Sequence, residues 1–334
     1  MLAVAGKTGP EGDATTMGDR RIILANEMGY CWGVRRALEI IQDAGDVNNP
    51  VATIGDVIHN PQVVERLHSK GVDTATSVEE AANRGYKRVA ITAHGAGPER
   101  KAEAEKFGLE LIDTTCPLVT KVQRMANKLA KQGYTVVVYG DYYHPEVKGI
   151  MAWSGTSRIY PAKKIADLPW DAPRGSRKEG AKTPPRKVAI VSQTTKNTDE
   201  MLRFVAELTA LVSPEGGEIR ITNTICEPTF ERQNALKQLA READVILAIG
   251  GKKSSNTARL AEVGNLMGVP SYHIERAEDI DVAWLEGKDA VGITAGASTP
   301  DDVIQSVIDF LVGCGYPAPI GGLRQVDLEA TPAY

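Results

Sequence analysis

The sequence predicts an α/β fold: three similar αβα units with small, mostly parallel sheets, set as a pseudo-threefold trefoil around a central cavity. Three observations predict it. A segment that runs cysteine, helix, strand, helix, strand, helix occurs three times. Strands alternate with helices throughout, the order that right-handed crossovers in parallel sheets require. The unusual polar residues collect at the carboxyl ends of the strands, where open α/β sheets place their binding crevice.

The first unit, residues 30–115, opens in IILANEMGYCWGVRRALEIIQDAG, where Cys31 follows a strand-like run and Val34, Leu38 and Ile41 recur at helical spacing. The strand VATIGDVIHNP ends at His59 and Asn60, the helix QVVERLHSKG follows, and the strand RVAITAHGAG ends at His94. The second unit, 116–225, opens in LELIDTTCPLVTKVQRMANKLAKQG, with Val119, Val122, Met125 and Leu129 spacing the helix after Cys116. Its strands TVVVYGDYYHPEV and KVAIVSQTTKN end at His144 and Glu146 and at Thr194 and Thr195, with the helix EVKGIMAWSG between them. The third unit, 226–312, opens in IRITNTICEPTFERQNALKQLAREAD, where Phe230, Leu236 and Leu239 mark the apolar face after Cys226. Its strands VILAIGGKKSSN and AVGITAGASTP end at Ser254, Ser255 and Asn256 and at Ser298, with the helix TARLAEVGNLMG between them. Pro117 and Pro228 fall in first helical turns, where a missing N–H costs little.

Closure follows from counting strands. LELID completes the first sheet and IRITNT the second, so the third lacks a last strand and RIILAN, residues 21–26, is left to join it. Residues 1–20, rich in Gly, Thr and charge, are expected as a disordered tail, and 313–334 as a C-terminal tail. The Pro, Gly and charge-rich stretch 167–186 is expected as a mobile surface loop.

Composition narrows the function classes. Hydrophobic residues make up 42% and charged residues 25%, the balance of a soluble globular chain. A net charge of −4 supplies no basic excess for nucleic acid. No apolar run approaches the ~20 residues of a membrane span, and the N-terminal stretch has no secretory apolar core. A cytoplasmic protein without nucleic-acid or membrane partners is expected. The cysteines at 31, 116, 226 and 314 are far apart and form no C-x-x-C pair, unlike a secreted disulfide framework or a zinc ribbon.

Three thiolates from three separate units suit a 4Fe–4S cubane with one iron left open to a substrate oxygen. The competing reading is three inert buried thiols, which their matching positions in three repeats disfavour. Cys314 lies outside the repeat and reads as a bystander, with a fourth-ligand role as its alternative. His59, His94, Ser254, Asn256 and Ser298 read as an anion pocket served by helix N-termini. The plainer role of such hydroxyls is capping, expected at Ser255 or Asn256 before TARLAEV and at Thr299 before PDDVIQSV. Glu146 is placed to pass protons; a first-turn charge favoured by the helix dipole is its alternative, and the neighbouring His144 weighs toward function. His68 and His273 read as structural.

With ANEMGYCWGV, the His59–Asn60 pair, AHG, DTTCPLVTKV, HPEV, SQTT, TIC…RQ, SSN and TAGAS in this order, the chain resembles the LytB family of 4-hydroxy-3-methylbut-2-enyl diphosphate reductases, from about Ile22 to Ser298. The resemblance implies reductive removal of the C4 hydroxyl of (E)-4-hydroxy-3-methylbut-2-enyl diphosphate with two electrons and two protons. The products are isopentenyl and dimethylallyl diphosphate, in the last step of the non-mevalonate isoprenoid pathway. It implies that Cys31, Cys116 and Cys226 hold the cluster and that Glu146 donates the proton, with Thr194 near the substrate hydroxyl and His144 assisting. His59, His94, His144, Ser254, Ser255, Asn256 and Ser298 then bind the diphosphate, and a ferredoxin or flavodoxin-type partner supplies electrons. Trp32 after the first cysteine and Pro228 after the third depart from the usual small residue and Ala. Competing classes are a quinolinate-synthase-like dehydratase, an iron–sulfur redox sensor and a zinc-bound structural protein.

Overall fold

The computed structural model describes residues 20–319. The expected N-terminal tail therefore lies outside the described residues except for Arg20, and the C-terminal one beyond residue 319. The described residues begin with β1 (Arg21–Leu24) and α1 (Trp32–Ala44), then β2 (Val51–Ile54), α2 (Pro61–His68), β3 (Val72–Ala75), α3 (Val78–Asn83), β4 (Arg88–Ile91), α4 (Glu99–Lys106) and β5 (Glu110–Asp113). Next come α5 (Pro117–Lys131), β6 (Thr135–Tyr139), α6 (Pro145–Ser154), β7 (Ile159–Ala162), β8 (Lys187–Ser192), α7 (Thr198–Val212) and β9 (Glu218–Ile221). The last part holds α8 (Glu227–Leu239), β10 (Val245–Ile249), α9 (Ser255–Leu266), β11 (Ser271–Ile274), β12 (Ala290–Ala295) and α10 (Asp301–Gly313).

These strands form three four-stranded sheets in the orders β3-β2-β4-β5, β7-β6-β8-β9 and β11-β10-β12-β1. Every pairing is parallel, so "mostly parallel" understates the regularity. The position filled by β5 and β9 in their sheets is filled in the third by β1, which pairs with β12 from Arg21↔Ala290 to Leu24↔Ile293. The first stretch of the chain thus closes the last sheet.

Both faces of each sheet are covered, as parallel sheets require. Alternate residues of β10 diverge: Val245, Leu247 and Ile249 pack with Ile304, Val307 and Leu311 of α10, whereas Ile246 and Ala248 meet Leu236 of α8 and Leu260 of α9. In the second unit Val137 and Ile190 face Phe204 and Leu208 of α7, and Val136 and Val138 face Leu129 of α5 and Ile150 of α6.

The structure adds one strand to each unit beyond the two read from sequence: β3, β7 and β11. Each is four residues long, with only its first and last residues buried, so none carries the apolar run or alternation that marks a strand. Phe230 does not belong to the apolar face of α8: it is 48% exposed, while Thr229, Arg232, Gln233 and Leu236 turn inward. The stretch 167–186 is not wholly a surface loop. Leu168, Trp170 and Ala172 are buried in the second unit's core, with Trp170 edge-on to Tyr160. Past α10 the chain stays anchored, because Tyr316 is buried, donates to Lys288 O at 2.7 Å and lies under Arg20. No described helix is long and apolar enough to cross a membrane.

Candidate functional site

Each cysteine is the residue before a helix: Cys31 before α1, Cys116 before α5 and Cys226 before α8. One backbone contact recurs in all three places. Cys31 N donates to Ala297 O at 3.2 Å, Cys116 N to Ala93 O at 3.0 Å and Cys226 N to Thr194 O at 3.0 Å. Each thiol is thereby held beside the polar end of the strand next to its own, and His94, Thr195 and Ser298 follow those three acceptors directly.

The three ends converge on one cavity of about 110 Å³. A single water needs ~10–15 Å³ by this measure, so the space admits a polar ligand. Its wall contains Cys31, Cys116, Cys226, His59, His94 and His144, and also Glu146, Thr194, Ser254, Ser255, Asn256 and Ser298. Asn60 is not on it; its side chain caps α2 by accepting from Val63 N at 3.1 Å. Cys314 is also absent, serving as the C-cap of α10. His68 is exposed and pairs with Asp73, and His273 sits 2.9 Å from Gly250 O.

The thiol end fits a multinuclear cluster. A Cβ on Gly33 would lie 2.6 Å from Cys116 Sγ and 4.0 Å from Cys31 Sγ, so only glycine lets the two sulfurs share that space. Among the described residues the ligand atoms that fall within 4.8 Å of one another are those of the three histidines, not the three sulfurs. Tetrahedral zinc with Zn–S near 2.3 Å would hold sulfurs about 3.8 Å apart, so one ion does not fit the trio. Burial pushes the Cys116 thiol up to about 11 and Cys226 to about 12, with Cys31 adding to both. Thiolates here need cations at their centre, which an iron–sulfur cluster provides.

The opposite end is a donor pocket. His59 and His94 stack at 4.1 Å between ring centroids, and His144 stands edge-on to each at 5.5 Å. Burial and mutual repulsion hold His94 well below the ordinary histidine range and His144 at about 4, and burial lowers His59. His144 Nδ1 accepts from Glu146 N at 3.2 Å, which leaves its ring proton on Nε2. Asn256 is 4% exposed and both its amide atoms, like His59 Nδ1, lack a protein partner. Buried polar groups without partners cost 1–3 kcal/mol each, about what a ligand there recovers. Hydroxyls and amides are weak ligands for a transition metal, so this corner suits an anion better than an ion bound by the three imidazoles.

Capping falls elsewhere than expected. Ser254, not Ser255 or Asn256, caps α9 by accepting from Thr257 N at 3.3 Å. Thr299 caps nothing; its hydroxyl donates to Ile249 O at 2.8 Å, and Pro300 precedes α10. Ser255 and Asn256 remain available to the cavity.

Glu146 is 2% exposed. Burial pushes its carboxyl up to about 7 against the lowering effect of two hydrogen bonds from Thr194 and the charge of Lys196. Sequence reasoning missed Arg232, which is 4% exposed and donates to Pro228 O at 2.9 Å and to Gly29 O at 2.7 Å. An arginine on an otherwise amphipathic helix is ordinary in sequence; only the fold shows it bridging the first turn of α8 and the loop before Cys31. Lys196, 5% exposed in the bend between β8 and α7, was also missed, because a lysine in a polar turn reads as a surface residue.

Three α/β units pool one thiol each with a buried carboxyl and a pocket of hydrogen-bond donors in one cavity, the equipment of an enzyme with an anionic substrate. Residues 22–312 match the model of the LytB protein family, and the chain belongs to it. It is 40% identical to the 4-hydroxy-3-methylbut-2-enyl diphosphate reductase of Campylobacter concisus over 290 residues, 86% of this chain and 98% of the relative. It is likewise 40% identical to the enzyme of that name from Geobacter sulfurreducens over 294 residues, 86% and 97% of the two chains. Among solved structures, that of (E)-4-hydroxy-3-methyl-but-2-enyl diphosphate reductase, the terminal enzyme of the non-mevalonate pathway, aligns with a TM-score of 0.60 at 35% identity, covering 88% of this chain and 99% of that one. The Plasmodium falciparum reductase shares the fold with a TM-score of 0.79 at 24% identity, covering 90% and 91%.

Proposed function

We propose that the chain is an iron–sulfur reductase that removes the C4 hydroxyl of (E)-4-hydroxy-3-methylbut-2-enyl diphosphate. The C–O bond breaks, two electrons and two protons enter, water leaves, and isopentenyl and dimethylallyl diphosphate form. One observation carries this reading: three thiols, a buried carboxyl pushed up to about 7 and a group of histidine, serine and asparagine hydrogen-bond donors line a single cavity.

Cys31, Cys116 and Cys226 would hold a 4Fe–4S cluster with one iron free of protein. When bound, it supplies electrons and a Lewis-acid position for the substrate oxygen. Glu146 holds the proton. In its ionised form the carboxylate accepts from Thr194 N and Oγ1; in its acid form it donates to Thr194 Oγ1, whose own proton then turns toward the substrate hydroxyl. His144 Nε2–H, with His59, His94, Ser254, Ser255, Asn256 and Ser298, binds and orients the diphosphate, and its negative charge relieves the repulsion among the imidazoles. Electrons would arrive from a ferredoxin or flavodoxin-type donor.

A redox sensor would use the same thiols but has no need of Glu146, and a quinolinate-synthase-like dehydratase needs carboxylate rather than phosphate recognition. Anaerobic assay of the iron-loaded protein with the allylic diphosphate and a strong reductant decides. Substrate should disappear with both products formed; an intact cluster with no consumption would refute the assignment.

A further inference from the structure

A second cavity of about 600 Å³ adjoins the chamber and shares His144, Ser254 and Ser255 with it. Its remaining wall carries Lys163, Lys196, Lys252, Lys253 and Arg259 against the carboxylates Asp141, Glu200 and Glu262. All three carboxylates are already engaged. Lys163 pairs with Asp141 at 2.7 Å, and Arg259 holds Glu200 and Glu262, each at 2.6 Å. Lys252 is tied to His273 O. Lys196 and Lys253 remain with no ion pair among the described residues. Lys253 is exposed, whereas Lys196 is 5% exposed and still has no hydrogen-bond partner for its ammonium.

The stem of Lys196 is buried while its ammonium stays accessible at the cavity wall, where an anion can reach it. Burial and the neighbouring Arg259 and Lys163 lower its affinity for its proton, against the attraction of Asp141 and Glu200. The charge of Lys196 reaches His144 and Glu146, and that of Lys253 reaches His59. The two free cations therefore stand between solvent and the phosphate end of the chamber.

We propose that this cavity is an antechamber in which Lys196 and Lys253 capture the diphosphate group of an incoming ligand before it passes His144 and Ser254 into the chamber. Two cations that hold no ion pair, the acids nearest Lys196 being bonded to Lys163 and Arg259, offer positive charge to a diphosphate, and steering by such a pair raises the rate of encounter in a salt-dependent way. The identity of the ligand rests on the reductase reading; the anion site itself does not.

Inorganic diphosphate titrated by calorimetry into the cluster-loaded protein at low salt should report two sites. The double variant Lys196→Met, Lys253→Ser should lose one of them, and Lys253→Arg should keep both. In turnover the double variant should raise KM for the allylic diphosphate about ten-fold, as expected for lost charged contacts, with a much smaller change in kcat and a flatter dependence of kcat/KM on salt. The exposed Lys253→Glu, which leaves the buried wall intact, should weaken the same site on its own. A one-site isotherm for the unaltered protein, or an unchanged isotherm and KM in both the double variant and Lys253→Glu, overturns the proposal. Two-site binding without reduction of the allylic diphosphate would sink the functional assignment and leave the antechamber standing.

Discussion

Thr194 holds both oxygens of Glu146: its backbone N–H donates to Oε1 at 2.7 Å and its hydroxyl to Oε2 at 2.8 Å. The backbone bond survives any side chain, so the hydroxyl can be removed alone. In Thr194→Val the Oε2 atom loses its buried donor, and a proton on Glu146 loses its exit. Turnover should drop about 10²–10⁴-fold, the range for losing a positioned proton-transfer group, while Thr194→Ser keeps most of it. Equal rates in the Val and Ser variants would show that the hydroxyl carries no proton.

Glu146→Gln removes the proton source and keeps the shape. Turnover should fall by about the same 10²–10⁴, with the visible absorption of the cluster unchanged. A variant that turns over normally would return the site to the sensor reading.

The raised carboxyl also sets a pH signature. With a folded-state value of about 7 against an ordinary 4.5, the folded chain holds this proton where the unfolded chain has released it. The associated stability is fully present below the unfolded value and is lost as pH rises through about 7. Between about pH 5 and 8 the melting temperature should decline less in Glu146→Gln than in the unaltered protein, measured anaerobically with the cluster loaded. Activity should likewise fall above pH 7 as the donor ionises. Removing Lys196, whose charge lowers the Glu146 value, should move that limb to higher pH. Parallel melting curves for both proteins would contradict the burial argument.

Gly33 tests the thiol end. Its Cβ would lie 2.6 Å from Cys116 Sγ, so Gly33→Ala must push that sulfur off its place in the wall. The variant should fold, because the added methyl meets only the two sulfurs and the Cys116 Cβ, yet retain well under half the iron and sulfide after reconstitution. Full loading would mean that the sulfurs adjust freely.

Much of this was legible without coordinates. The cysteines and the polar strand ends could be read because each repeat places them at the same junction, and the missing strand of the third sheet followed from counting. What stayed hidden shares one physical cause. Strands such as Val72–Ala75 and Ser271–Ile274 are buried only at their two ends, so tertiary pairing rather than pattern makes them strands. Phe230 looked apolar-inward because Cys226-x-x-x-Phe230 fits helical spacing, but the buried face of α8 is taken in part by Thr229, Arg232 and Gln233, of which Thr229 lines the chamber. Polar residues that serve a buried site break the hydrophobic pattern by which a buried face is recognised.

Arg232 is the residue through which that hidden face acts on the thiols. Its two terminal nitrogens donate to Gly29 O, two residues before Cys31, and to Pro228 O, two residues after Cys226. The guanidinium thus ties the first turn of α8, which follows Cys226, to the remote loop that precedes Cys31. Its planar fork reaches both carbonyls at once, which a lysine ammonium with a single nitrogen cannot reproduce. Arg232→Met keeps the bulk of the stem but leaves the buried Gly29 carbonyl without its donor, at about 1–3 kcal/mol, while Pro228 O keeps its place in the first turn of α8. The protein should melt several degrees lower and release iron to a chelator about ten-fold faster. Arg232→Lys should recover the charge without recovering iron retention. If Arg232→Met keeps its iron as long as the unaltered protein, α8 and the loop before Cys31 are held by packing alone and the clamp is incidental.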